Sequence, residues 1–132
     1  MNRRARLITI PLLCLLVGAP PVLAGPVSPF TGAWTSVDVD GSTQYLSISG
    51  GAAVHATLTD LSGTVCARAA APTMVFNGQL TGTVACDSLD LTWVRARCGA
   101  ASIDFLIGFT GTWTYDPQHD TLSDGVVTWT RR

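Results

Sequence analysis

The sequence predicts a small all-β protein, a single antiparallel up-and-down β-barrel of about eight strands, with a two-sheet β-sandwich as the alternative. Three observations carry that prediction. Side chains alternate at period two: Leu89, Leu91 and Trp93 alternate with Asp90, Thr92 and Val94, and Ile103, Phe105, Ile107 and Phe109 with Asp104, Leu106, Gly108 and Thr110. Turn-forming pairs recur at short intervals, at Asp40-Gly41, Gly50-Gly51, Ser62-Gly63, Asn77-Gly78, Asp87-Ser88, Cys98-Gly99 and Asp116-Pro117. No stretch beyond the first two dozen residues reads as a helix. Short alternating runs between such punctuation mean strands of a sandwich or barrel.

Read in order, the strands fall at 31–39, 43–49, 53–60, 64–69, 79–86, 89–97, 102–115 and 121–131. The region 69–77, with Pro72, has no firm assignment. The seventh run is long enough to need a bend, at Gly108 or Gly111. Consecutive strands joined by tight turns favour a meander, and eight strands can close and so remove exposed edges. A short internal echo is present: Phe30-Thr31-Gly32-Ala33-Trp34-Thr35 and Phe109-Thr110-Gly111-Thr112-Trp113-Thr114 differ at one position. A shared strand recipe, with glycine admitting a neighbouring tryptophan, accounts for it without a duplication.

The amino terminus has the layout of a secretory signal peptide. Arg3, Arg4 and Arg6 precede an apolar run from Leu7 to Val17, followed by Gly18, Pro20, Pro21 and then Val22-Leu23-Ala24. The run is too short to span a bilayer. Cleavage after Ala24 is expected, which divides the chain into a leader, 1–24, and one domain, 25–132. Leu13 ahead of Cys14 disfavours lipidation, and Arg6 disfavours twin-arginine export. The expectation is export by the general route to the periplasm or the extracellular space, with no transmembrane anchor.

Composition narrows the function. Residues 25–132 hold five arginines, no lysine, nine aspartates and no glutamate, a net charge of −4. An acidic domain without a basic stripe is a poor partner for nucleic acid or anionic membranes. Without lysine, Schiff-base chemistry is excluded. The Ala, Gly, Arg and Thr bias suggests a bacterial gene rich in G and C.

Cleavage would leave Cys66, Cys86 and Cys98. An oxidising compartment favours one disulfide among them and one odd thiol. With residues 80–97 read as a hairpin turning at Asp87-Ser88, Cys86 and Cys98 lie at opposite ends, roughly 30 Å apart. A disulfide needs α-carbons within about 7 Å. Cys66 precedes the hairpin at the end where Cys98 lies, so Cys66–Cys98 is the expected pair, worth roughly 3–4 kcal/mol by loop entropy, and Cys86 the expected free thiol.

No residue set points to catalysis. His55 and His119 lie on distant segments, and no nucleophile-elbow motif is present. Asp38-Val39-Asp40-Gly41-Ser42 begins like a calcium loop but lacks the closing glutamate, and an Asp-Gly turn explains it. Tyr115-Asp116-Pro117-Gln118-His119-Asp120 reads as a proline-fixed turn. No metal or cofactor is expected. The aromatic set is more suggestive. Strict alternation puts Trp93 on one face with Arg95 and Arg97, so an inward face would place two cations beside a tryptophan at one barrel mouth. Trp34, Trp93, Arg95 and Arg97 are accordingly the candidate ligand-binding residues, for a small anionic or aromatic molecule.

Gly32-Ala33-Trp34 on the first strand resembles the Gly-X-Trp opening of lipocalins and avidins. The resemblance implies a barrel whose tryptophan closes one end, with a late arginine, Arg131 or Arg132, packed over it. Thr35, Ser36 and Val37 depart from the polar biotin-binding pattern of avidins, so biotin is not implied. The Trp-rich first strand, the Tyr115-Asp116-Pro117 turn with Asp120-Thr121-Leu122, and the final Trp129-X-Arg131 resemble small secreted bacterial β-proteins, a likeness that implies a fold and no activity. The functional expectation is a secreted, non-enzymatic module binding a small molecule or an extracellular protein. A self-associating cell-surface protein is the alternative, and a secreted protease inhibitor the third reading.

Overall fold

The computed structural model describes residues 27–61, 64–68 and 75–132; the expected leader and its cleavage point lie outside them. Nine strands form one antiparallel sheet. They are β1 (Gly32–Val37), β2 (Thr43–Gly50), β3 (Ala53–Leu61), β4 (Phe76–Ala85), β5 (Ser88–Cys98), β6 (Ala101–Ser102), β7 (Thr110–Asp116), β8 (Thr121–Ser123) and β9 (Thr128–Arg131). Their order is β4-β3-β2-β1-β9-β8-β7-β5-β6, and β4 also pairs with β5, which closes eight strands into a barrel. The two-residue β6 is an extra strand on the end of β5. The barrel therefore replaces the sandwich alternative, and closure satisfies the ladder hydrogen bonds that an open edge would expose. Among the described residues no helix is long and apolar enough to cross a membrane.

The alternation is realised in β2 and β3, where Leu46 and Ile48 face inward with Val54, Ala56 and Leu58, all under a tenth exposed. Elsewhere the count of eight arises by a different partition. Residues 64–69, expected as a strand, instead contain the short helix α1 (Thr64–Arg68). Two remote contacts decide this: Asp40 Oδ2 accepts the Thr64 N–H at 2.8 Å, and Cys66 is bonded to Cys98. A helical-end cap supplied 24 residues away leaves no local signature.

The run 102–115 is not one bent strand. It divides into β6, a 3₁₀ turn at Asp104–Leu106, and β7. Gly108 adopts φ +82°, which reverses the chain as only glycine does easily. Its N–H donates to the Trp93 carbonyl at 2.8 Å, while the Trp93 N–H donates to the Phe109 carbonyl at 3.0 Å. The run 121–131 likewise splits into β8 and β9 around Asp124, whose Oδ1 accepts the Val126 and Val127 N–H groups at 2.8 and 2.9 Å.

Asn77-Gly78, expected as a turn, lies inside β4. A Cβ at Gly78 would overlap the Trp93 indole, so the glycine makes room for a ring rather than a reversal. The β4–β5 loop is Cys86-Asp87, one residue earlier than expected, with Cys86 at φ 55°.

The Cys66–Cys98 pairing is as expected, with α-carbons 5.5 Å apart. The free thiol expected at Cys86 is corrected: Cys86 is disulfide-bonded, and no free cysteine occurs among the described residues. It stands on the exposed β4–β5 hairpin tip rather than in the barrel wall.

Candidate functional site

The two ends of the barrel differ. At one end Trp34 is fully buried, and its indole N–H donates to the Phe30 carbonyl at 2.8 Å. Arg131, its cross-strand partner on β9, lies with the guanidinium carbon 4.1 Å from the indole centroid. That guanidinium donates to the carbonyls of Thr31 at 2.9 Å and Pro29 at 3.0 Å, and to both oxygens of Asp120. Tyr115 adds its hydroxyl to Asp120 at 3.0 Å. Hydrogen bonding from Arg131 holds the Asp120 carboxyl below its ordinary value, and Asp120 in turn raises Arg131. Arg132 packs over Tyr45 instead, 4.9 Å from its centroid. Trp34 is thus packed beneath the Arg131 guanidinium and does not line the 320 Å³ cavity at the other end.

The other end holds a cavity of about 320 Å³. Its aromatic lining comes from Trp93 on β5, Phe109 just before β7, Trp113 in the middle of β7, Trp129 on β9 and Phe76 on β4. Trp113 and Trp129 pack with centroids 5.4 Å apart, Phe76 and Trp93 at 5.6 Å. Val65 of α1 completes one wall, so the Cys66–Cys98 bond fastens that wall to β5.

Trp93 lies at this mouth as expected, but Arg95 and Arg97 do not join it. Leu80 of β4 pairs with Trp93 and the preceding Gln79 with Arg95, which leaves Val94 as an extra residue in β5. A bulge of one residue exchanges the faces of everything beyond it. Ala96 and Cys98 turn inward and are buried, whereas Arg95 and Arg97 point out and are exposed. The two-cation mouth is therefore corrected. Among the described residues no Lys, Arg or His lines the cavity, and its charged groups are Asp38, Asp60 and Asp124.

Asp60 was not singled out by the sequence. It stands on the inward face of β3, between Gln44 of β2 and Phe76 of β4 in register. It is 4 % exposed; Oδ2 accepts the Gln44 side-chain N–H at 3.3 Å, and Oδ1 has no partner among the described residues. The clue was available: in the sequence Val54-His55-Ala56-Thr57-Leu58-Thr59-Asp60, strict alternation places Asp60 on the same face as Val54, Ala56 and Leu58. Asp124 differs, because two backbone N–H groups and the Trp129 indole N–H, at 3.2 Å, already occupy it.

The remaining acids serve the turns. Hydrogen bonds from the Ser42 hydroxyl and amide hold Asp40 below the ordinary carboxylate value, and the same side chain caps α1. Asp116 is lowered chiefly by its hydrogen bond to His119, at 2.6 Å, and accepts the Gln118 N–H at 2.9 Å. No group of three metal-ligating side chains occurs among the described residues. Comparisons with protein-family models, curated proteins and solved structures returned no match to this chain.

Proposed function

We propose that the chain is a secreted, non-enzymatic β-barrel that binds a small molecule in its open mouth. One observation carries this reading: a cavity of about 320 Å³, walled by three of the four tryptophans, opens at the end of the barrel away from the Arg131-covered Trp34. Ligand sites are concave, mostly apolar, and carry a few fixed polar groups. Aromatic walls around Asp60 and Gln44 have that composition. Export rests on the amino-terminal layout of basic head, short apolar run and Val22-Leu23-Ala24.

The self-associating alternative draws support from apolar side chains around the mouth, with Phe109 and Val126 each more than three-fifths exposed. Its edge-pairing route is weakened, because closure pairs all eight barrel strands on both sides.

The test is native mass spectrometry of the mature protein, isolated from an oxidising compartment without reductant. The expected result is a monomer carrying extra non-covalent mass that Trp113→Ala sheds and Arg95→Ala keeps. Bare protein running as oligomers would overturn the reading in favour of association.

A further inference from the structure

We infer that the mouth takes a small organic cation, a protonated amine or amidinium on a flat apolar body, with Asp60 as its anchor. The inference rests on the binding reading above and names its ligand class.

Asp60 supplies the first argument. A buried acceptor without a donor is costly, and more so when it carries charge. Proteins rarely leave such a group in place, and each instance calls for an explanation. Asp60 Oδ1 has no donor among the described residues, and Asp60 stands on the wall of the 320 Å³ cavity. Rotation about the last torsion of an aspartate is soft, so the carboxylate can turn its unpaired oxygen toward a donor in the cavity. A charged N–H donor makes the stronger kind of hydrogen bond there.

Charge supplies the second. The carboxylates of Asp38, Asp60 and Asp124 all line the cavity, with no basic side chain among the described lining residues. An anion entering it meets like charge in a partly desolvated space, and a neutral apolar molecule leaves Asp60 without a donor. A cation satisfies both conditions.

The aromatic walls supply the third. Indole faces attract cations within about 6 Å of the ring centre and stack on flat apolar groups. The same protein shows the preference at its other end, where Arg131 covers Trp34 at 4.1 Å. There the cation is built in; at the mouth the aromatic and acidic partners are present without one among the described lining residues.

Three probes that share a ring and differ in charge test this: tryptamine, its neutral alcohol analogue tryptophol, and indole-3-propionate. Each is titrated calorimetrically into the disulfide-intact mature protein and into Asp60→Asn. Tryptamine is expected to bind roughly tenfold or more tighter than tryptophol, the equivalent of one charge-assisted hydrogen bond, with indole-3-propionate weakest. Asp60→Asn, which keeps shape and removes charge, is expected to bring tryptamine and tryptophol within about threefold of each other. Equal binding of tryptamine and tryptophol by the unmutated protein overturns the cation inference and leaves the binding reading intact. That comparison needs no variant, so it stands even if Asp60→Asn fails to fold. Failure of all three probes at millimolar concentration also overturns the cation inference, and bound mass in the native spectrum then decides whether the broader reading survives.

Discussion

Residues 30–35 and 109–114 carry nearly the same hexapeptide, and the barrel uses them at opposite ends. In the first copy Phe30 and Trp34 are both fully buried, joined by a hydrogen bond from the indole to the Phe30 carbonyl and covered by Arg131. In the second, Trp113 is 6 % exposed and lines the cavity, while Phe109 is 63 % exposed on its rim. The strand recipe is common to both: a glycine two residues before an inward tryptophan. What differs is the partner. A guanidinium held by Asp120 and two backbone carbonyls seals the first copy, whereas the second faces Trp129, Asp60 and open space. The lesson is that a tryptophan in this fold is a plug or a wall according to what the opposite strand brings to it.

The comparison can be broken by substitution. Trp34→Ala is expected to cost about 3–5 kcal/mol, the range for truncating a large buried aromatic in a close-packed site. Trp113→Ala should cost at least about 1 kcal/mol less, because part of its surface already faces a cavity and loses fewer neighbours. Urea denaturation measures both, and equal costs would show that the two ends are packed alike.

Next in size is the disulfide. Replacing Cys66 and Cys98 together by serine should remove about 3–4 kcal/mol by the chain-entropy model for a separation of 32 residues. Hydrogen exchange should quicken at α1 and the end of β5 more than around Trp34, since the bond fastens only the mouth. Uniform loss of protection would mean that the tether supports the whole barrel.

Phe109→Ala is expected to change stability by no more than about 0.5 kcal/mol, against about 3 kcal/mol or more for Phe30→Ala. The same pair of denaturation curves sharpens the contrast, because the two phenylalanines occupy the same place in the motif.

The subtlest effect is on pH dependence. Asp120 titrates below the ordinary aspartate value of 3.8 because Arg131 and Tyr115 donate to its carboxylate. The unfolded chain therefore takes up that proton first, and stability rises with pH across the interval. The contribution is complete above about 3.8 and is lost as the pH falls through the lower folded value. Asp120→Asn should flatten the decline of the denaturation midpoint below pH 4 without abolishing it, since Asp40 and Asp116 are lowered as well. An unchanged slope would mean that the Arg131 clamp is not coupled to folding.

Much of this architecture is legible along the chain. Alternation in 43–49 and 53–60 defines β2 and β3 almost to the residue, and Asp40-Gly41 and Gly50-Gly51 form the turns beside them. The Cys66–Cys98 pair followed from the length of the β4–β5 hairpin and from the place of Cys66 before its Cys98 end. The candidate site was less legible. Trp93 was identifiable as a mouth residue, but Asp60 hid behind its own chemistry: an aspartate in a threonine-rich strand reads as solvent-facing unless its parity with Leu58 is taken seriously. Arg95 and Arg97 erred in the opposite sense, because parity was carried through a point where it fails.

The sequence by itself determined what depends on neighbours within a few residues: the all-β class, most turns, the inward faces of the regular strands, and a hairpin too long for Cys86 to reach Cys98. Tertiary structure alone decided what depends on meetings between distant segments. Val94 became a bulge because Trp93 bonds Gly108 and Phe109 on one side and stands in register with Leu80 on the other, while Arg95 already faces Gln79. Residues 64–68 became a helix because Asp40 caps them and Cys98 holds them. A period-two pattern encodes which face a residue takes only while the register is unbroken; a single extra residue, placed by a partner strand, exchanges the faces and with them the charge of the site.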